Sequence, residues 1–138
     1  MDTLYVVPPQ QIHKFWGISS PHLEKAIQTS SGEYTIDQLK VLVTQGKTTL
    51  LITLNENQIC TGAATIEWLD YANDRVCYIS YIGGKISQES WLQFVDWIIK
   101  SGGTKIQGST SSPAIVRLWR MKFNMKPKYT LMELTLTE

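Results

Sequence analysis

The stretch Arg75-Val76-Cys77-Tyr78-Ile79-Ser80-Tyr81-Ile82-Gly83-Gly84-Lys85-Ile86-Ser87-Gln88 changes character once, and that change decides the fold. Arg75 to Ile82 is a run of strand formers, and Gly83-Gly84 breaks it. Ser87 is an N-cap residue, and Trp91, Phe94, Val95 and Ile98 follow at i, i+3, i+4 and i+7, one face of a helix that stops at Gly102-Gly103. Thr104 to Gly108 is again a short strand. A strand, a helix and a strand in succession form a crossover, so the strands on either side of this helix are expected to run parallel.

Upstream, Thr48 to Leu54 and Gln58 to Leu69 are β-prone, separated by Asn55, Glu56 and Asn57 and followed by the turn residues Ala72, Asn73 and Asp74. With Arg75 to Ile82 they predict an antiparallel meander. Before it, Thr35 and Gln38 match a capping box that opens a helix through Ile36, Leu39 and Val43 to Gly46. Ser20-Pro21 predicts an earlier helix start, with Leu23, Ala26 and Ile27 at helical spacing up to Ser31-Gly32. Thr3 to Val7, ended by Pro8-Pro9, is a first strand. Downstream, Ser112-Pro113 opens a helix carrying Ile115, Leu118 and Trp119, and Tyr129 to Leu136 is expected to close the chain as a strand. The predicted class is α/β: a mixed, mostly antiparallel sheet flanked by four helices, with a splayed parallel pair after the central meander.

The chain has 138 residues, 43% hydrophobic and 18% charged, the size and composition of one globular domain. Thirteen basic against twelve acidic side chains leave a net charge of +1, which excludes a surface built wholly for nucleic acid or acidic lipid. No apolar run approaches the roughly 18 to 20 residues of a membrane span, and the N-terminus lacks a basic then apolar leader, so neither secretion nor membrane partners are expected. In the predicted hairpin Cys77 falls opposite Asp70, roughly 30 Å from Cys60, so both thiols are expected to be free. His13 and His22 have no ligand-type residue at metal spacing, and no metal site is expected. No nucleophile elbow or phosphate-binding P-loop is present.

The element order resembles the GNAT (GCN5-related N-acetyltransferase) fold, in which acetyl-coenzyme A lies where the fourth and fifth strands splay apart. Here Tyr78 to Ile82 would end the fourth and Thr104 to Gly108 form the fifth, while Ala114 to Phe123 resembles the late helix of that fold. A closer resemblance is to small GNAT-like proteins of tailed phages, the internal virion protein A group. It rests on His22-Leu23-Glu24-Lys25-Ala26, Gly32-Glu33-Tyr34-Thr35, Gly46-Lys47, Gly83-Gly84 with Trp91, and Leu131-Met132-Glu133-Leu134.

The GNAT resemblance implies a pyrophosphate cradle at a helix N-terminus, where unpaired N–H groups face the anion. The corresponding residues are Ile82, Gly83, Gly84 and Lys85, although the Gly-x-Gly pattern with its preceding Arg or Gln is absent. The position of the usual tyrosine proton donor holds Trp119, whose indole supplies no proton at neutral pH. Tyr78 and Tyr81 are alternative donors, and Glu67, on the strand face assigned also to Thr61, Ala63 and Thr65, is the candidate base. Arg117, Arg120, Lys122, Lys126 and Lys128 form a basic stretch free of acids, and Trp97 falls off the helix stripe. Arg117, Arg120, Lys122 and Trp97, if its ring is exposed, are therefore candidate partner-binding residues. Two functions follow. One is a catalytically degenerate phage protein that needs no cofactor and binds a phage structural or host protein, in the virion or the host cytoplasm. The alternative is an acetyl-CoA-dependent N-acetyltransferase acting on a small amine or protein amino group. Nucleic acid is the least favoured partner.

Overall fold

A computed structural model describes residues 1–137. Five strands, β1 (Thr3–Val7), β2 (Thr49–Leu54), β3 (Cys60–Asp70), β4 (Arg75–Gly84) and β5 (Lys105–Gly108), lie in chain order in one sheet. The first four are antiparallel neighbours, and β4 and β5 pair in parallel, as a crossover helix requires. The helices are α1 (Ile12–Gln28), α2 (Ile36–Thr44), α3 (Gln88–Lys100) and α4 (Pro113–Phe123).

The sheet is covered on both faces, which is why β2 reads as the continuous apolar run Leu50-Leu51-Ile52. Leu50 and Ile52 join Ala63 and Tyr81 under Leu23 of α1 and Leu39 and Val43 of α2. Leu51 joins Ile66, Cys77 and Ile79 under Trp91, Phe94 and Ile98 of α3. Each of these large apolar side chains contributes about 1.5–3 kcal/mol by leaving water. Local signals set the starts of α2, α3 and α4 as expected. Thr35 Oγ1 accepts from Gln38 N at 3.2 Å while Gln38 Oε1 accepts from Thr35 N at 2.9 Å. Ser87 and Ser112 cap α3 and α4 by accepting from Ser90 N and Ile115 N.

Five details depart from the sequence reading, the first being that β4 runs on through Gly83 and Gly84, paired with Ala63 and Gly62, where a break was expected. Helix α1 begins at Ile12, not Ser20, and carries Pro21 inside it. Packing of Ile12, Phe15, Trp16 and Leu23 on the sheet offsets the roughly 3 kcal/mol that an interior proline costs. The residue before the helix, Gln11, makes no side-chain cap, so no local start signal existed to read. The expected closing strand is absent: residues 124–137 form no helix or strand, and Tyr129, Leu131, Met132, Leu134 and Leu136 are 75–88% exposed. The β3–β4 hairpin pairs Asp70 with Arg75, which puts Cys77 opposite Trp68 rather than Asp70; both cysteines are free. Finally, Leu54 pairs with Cys60 and Thr53 with Gly62, so Thr61 is an extra residue whose hydroxyl meets that of Thr53 at 2.8 Å, and it does not share the face of Ala63, Thr65 and Glu67.

Candidate functional site

Strands β4 and β5 stay paired only from Val76 opposite Lys105 to Ile79 opposite Gly108, while β4 runs on to Gly84. The divergence begins at a bulge. Thr65 faces Tyr81 and Ile66 faces Ile79, leaving Ser80 unmatched, and its hydroxyl is held by Thr65 Oγ1 at 2.7 Å and the Thr65 carbonyl at 3.1 Å. A bulge bends its strand and adds twist, which turns the end of β4 away from β5. The result is a notch, as the splayed pair required.

Side chains of the chain meet where the two strands part. At the last paired rung a side chain on Gly108 would meet the ring of Trp119 at 3.3 Å and Ile79 Cβ at 3.7 Å, so the indole lies over the point where the strands part. Across the same point Tyr78 Oη and Ser109 Oγ hydrogen-bond at 2.5 Å, joining β4 to the loop after β5. At the other end of α4, Phe123 stacks on Trp91 with ring centroids 4.2 Å apart, and Lys122 Nζ donates to the Ile86 carbonyl at 2.7 Å. Helix α4 is thereby tied over the first turn of α3.

The four candidate cofactor residues lie together at the end of β4 and just beyond it. Gly83 and Gly84 are glycines because α1 approaches there: a Cβ on Gly83 would collide with the His22 carbonyl, and one on Gly84 would lie 2.8 Å from His22 Nδ1. Gly84 also has φ +81°, which disfavours any larger residue. The ring of His22 donates through Nε2 to the Cys60 carbonyl at 2.9 Å. Lys85 is exposed, and its amide donates to the Thr61 carbonyl. Ile82 faces α3 and lines a small apolar cavity of about 30 Å³ with Leu4, Leu51, Ile86, Trp91 and Phe94. At the N-terminus of α3, Ser87 already takes one backbone N–H, and Glu89 supplies negative charge in the first turn.

Glu67 and Tyr81 share the opposite face of the sheet on nearby rungs. Glu67 is half-buried, stands opposite Tyr78 and accepts from the Thr48 hydroxyl at 3.4 Å. Tyr81 is buried beside Ser30 and Tyr34, and burial raises its hydroxyl pKa, so it holds its proton at neutral pH. Tyr78 is the tyrosine that reaches the notch. Its role depends on the strand register and the loop after β5, which no local pattern announces.

The condition set on Trp97, an exposed ring, is not met. Its ring is half-buried 6.0 Å from that of Trp68 and 6.5 Å from that of Phe94, and Arg75 lies 3.9 Å over the Trp68 ring. Arg117 and Arg120 are exposed on α4, as is Lys122 despite its bond to Ile86. Among the described residues no group of three His, Cys, Asp or Glu side chains could hold a metal, and no helix is long and apolar enough to cross a membrane.

No protein-family model and no curated protein matches this chain. Solved structures do. A ribosomal-protein-alanine N-acetyltransferase from Brucella melitensis superposes with a TM-score of 0.72 at 11% identity, covering 99% of this chain and 100% of that one. An aminoglycoside acetyltransferase from an uncultured soil metagenomic sample gives 0.71 at 14% identity over 99% and 97% of the two chains. The aminoglycoside antibiotic 6'-N-acetyltransferase of Acinetobacter baumannii gives 0.65 at 10% identity over 100% and 99%. With the bulged β4, the parallel β5 and the notch between them, these matches along the whole chain establish that it has the GNAT acetyltransferase fold.

Proposed function

We propose that this protein uses a GNAT scaffold for protein binding rather than acetyl transfer, as a virion-assembly, virion-component or host-interaction protein of a tailed phage. The observation that supports this reading most is the filled notch: Trp119 lies over Gly108, and the Tyr78–Ser109 hydrogen bond spans the gap into which a thioester would have to pass. The leaving thiolate would meet an indole where it needs a proton donor. The anion-binding end of α3 is already partly neutralised by Glu89 and capped by Ser87. The phage setting comes from the sequence resemblance alone.

The binding surface in this reading is the basic run from Arg117 through Lys128, which suits an acidic face on a phage structural or host protein. Charge reversal at both Arg117 and Arg120, exposed positions, is expected to weaken partner recovery in pull-downs from infected cells, most strongly at low salt. Recovery of the same partners by the doubly reversed protein would overturn this assignment.

One observation favours a second reading, acetyl-CoA-dependent N-acetyltransferase: Glu67 stands opposite Tyr78 on the half-buried sheet face, and the end of β4 has no strand beside it toward β5. In that case Glu67 is the base that takes the amine proton and Lys85 a phosphate contact. Glu67→Gln would then lower turnover by about 10²–10⁴-fold. A protein with no measurable turnover before substitution favours the binding role.

A further inference from the structure

We propose that Gln93 of α3 is an autoinhibitory plug: its carboxamide occupies the outer edge of β1 and keeps that edge from pairing with the β1 of a second copy. Strand β1 is an end strand of the sheet, paired with β2 on one side only. Leu4 N–H donates to Gln93 Oε1 at 2.8 Å, and Gln93 Nε2 donates to the Asp2 carbonyl at 2.8 Å. A primary amide offers the same acceptor and donor as a peptide group, so Gln93 stands where one unit of a neighbouring strand would stand. Backbone groups of alternate residues in a strand point the same way. Asp2, Leu4 and Val6 therefore turn outward, and Pro8, the next outward position, has no N–H. The plug holds the central one of the three outward amides.

The composition of β1 makes a second copy the occupant that the plug excludes. Thr3-Leu4-Tyr5-Val6-Val7 is uncharged and rich in strand formers, and it is apolar on both faces: Leu4 and Val6 pack into the α3-side core, Tyr5 and Val7 into the α1-side core. Its register with β2 contains no bulge. An edge without charge or bulge pairs readily with its own copy, most simply antiparallel about a twofold axis, which for this strand centres on Leu4. Protection comes instead from α3. Trp91 and Phe94 fix that helix on the sheet, and Gln93 between them is half-buried, so helix packing and two hydrogen bonds hold the carboxamide on the edge. The device is independent of whether the notch binds coenzyme A and of whether α4 binds a partner.

Sedimentation of the full chain, of Gln93→Ala, and of Gln93→Ala with Thr3→Lys tests this, together with hydrogen exchange at the Leu4 amide. Thr3 is exposed, and a lysine there puts a charge on the edge. Gln93→Ala is expected to sediment at a higher, concentration-dependent mass than the unaltered chain, and the double variant to return to the unaltered mass. In the Thr3→Lys background, where the edge cannot pair, Gln93→Ala is expected to speed exchange at Leu4 about tenfold, the loss of one net hydrogen bond. A Gln93→Ala protein with the unaltered mass overturns the proposal, as does association that Thr3→Lys does not reverse. Where far-UV circular dichroism shows Gln93→Ala unfolded, the unaltered chain decides. Protection of Leu4 that is independent of protein concentration upholds the plug, and exchange at the rate of an unfolded chain overturns it.

Discussion

Gly83 and Gly17 have opposite surroundings, and the contrast can be measured. A Cβ at Gly83 runs into the backbone of His22, which cannot move without shifting α1, so Gly83→Ala should lower unfolding free energy by about 1–3 kcal/mol. At Gly17, exposed within α1, a Cβ meets nothing within 4 Å, and Gly17→Ala should raise stability by about 0.5–1 kcal/mol in urea titrations. Cys77 gives a pH signature. Burial pushes its thiol up to about 12, against about 8.5 in an unfolded chain. The folded state therefore keeps a proton between about pH 9 and 12 that the unfolded state gives up, and stability should fall with rising pH across that window. Urea midpoints measured from pH 8 to 10.5 should decline less steeply for Cys77→Val. Of the residues at the notch, Trp119 was legible as a departure from the family pattern, because it needs only the order of residues on one helix. That its ring covers Gly108, and that α1 rather than a ligand requires Gly83, depends on elements distant in sequence meeting in space.

At the scale of the element, what was legible divides between local and distant causes. The box of Thr35 with Gln38 and the caps Ser87 and Ser112 act within one turn, so the sequence displays them, and Thr35→Ala should cost about 1 kcal/mol in thermal or urea unfolding. The start of α1 is held by the packing of Ile12, Phe15 and Trp16 on the sheet, and an N-cap pattern at Ser20-Pro21 therefore misleads. Tyr129 to Leu136 has the composition of a strand, but a strand exists only through its partner, and the described fold supplies none. The bulge at Ser80, which opens the notch, is likewise invisible in a run that reads Tyr-Ile-Ser-Tyr-Ile. Arg75 ties the β3–β4 turn to α3, bonding Asp70 at 2.7 Å and the Ser101 carbonyl at 3.2 Å while lying over Trp68. Lysine lacks the planar group for this arrangement, so Arg75→Lys should lose about 0.5–1 kcal/mol in the same unfolding measurements.

For the whole molecule, the order of elements and the parallel crossover were enough to specify the sheet and the position of the notch. What fills the notch emerges only when α4 is laid over β5 and α3. The indole of Trp119 lies over the last paired rung, and the Tyr78–Ser109 hydrogen bond joins β4 to the loop after β5. The most direct test is calorimetric titration of the full chain with acetyl-CoA, alongside Lys85→Glu, an exposed change that leaves the packing around His22 intact. Gly84→Asp would be a poor control, since its side chain would strain the fold whatever binds. A filled notch predicts no saturable heat up to millimolar acetyl-CoA for either protein. Micromolar affinity in the unaltered chain, weakened by Lys85→Glu, would contradict it and identify the chain as a working coenzyme A site.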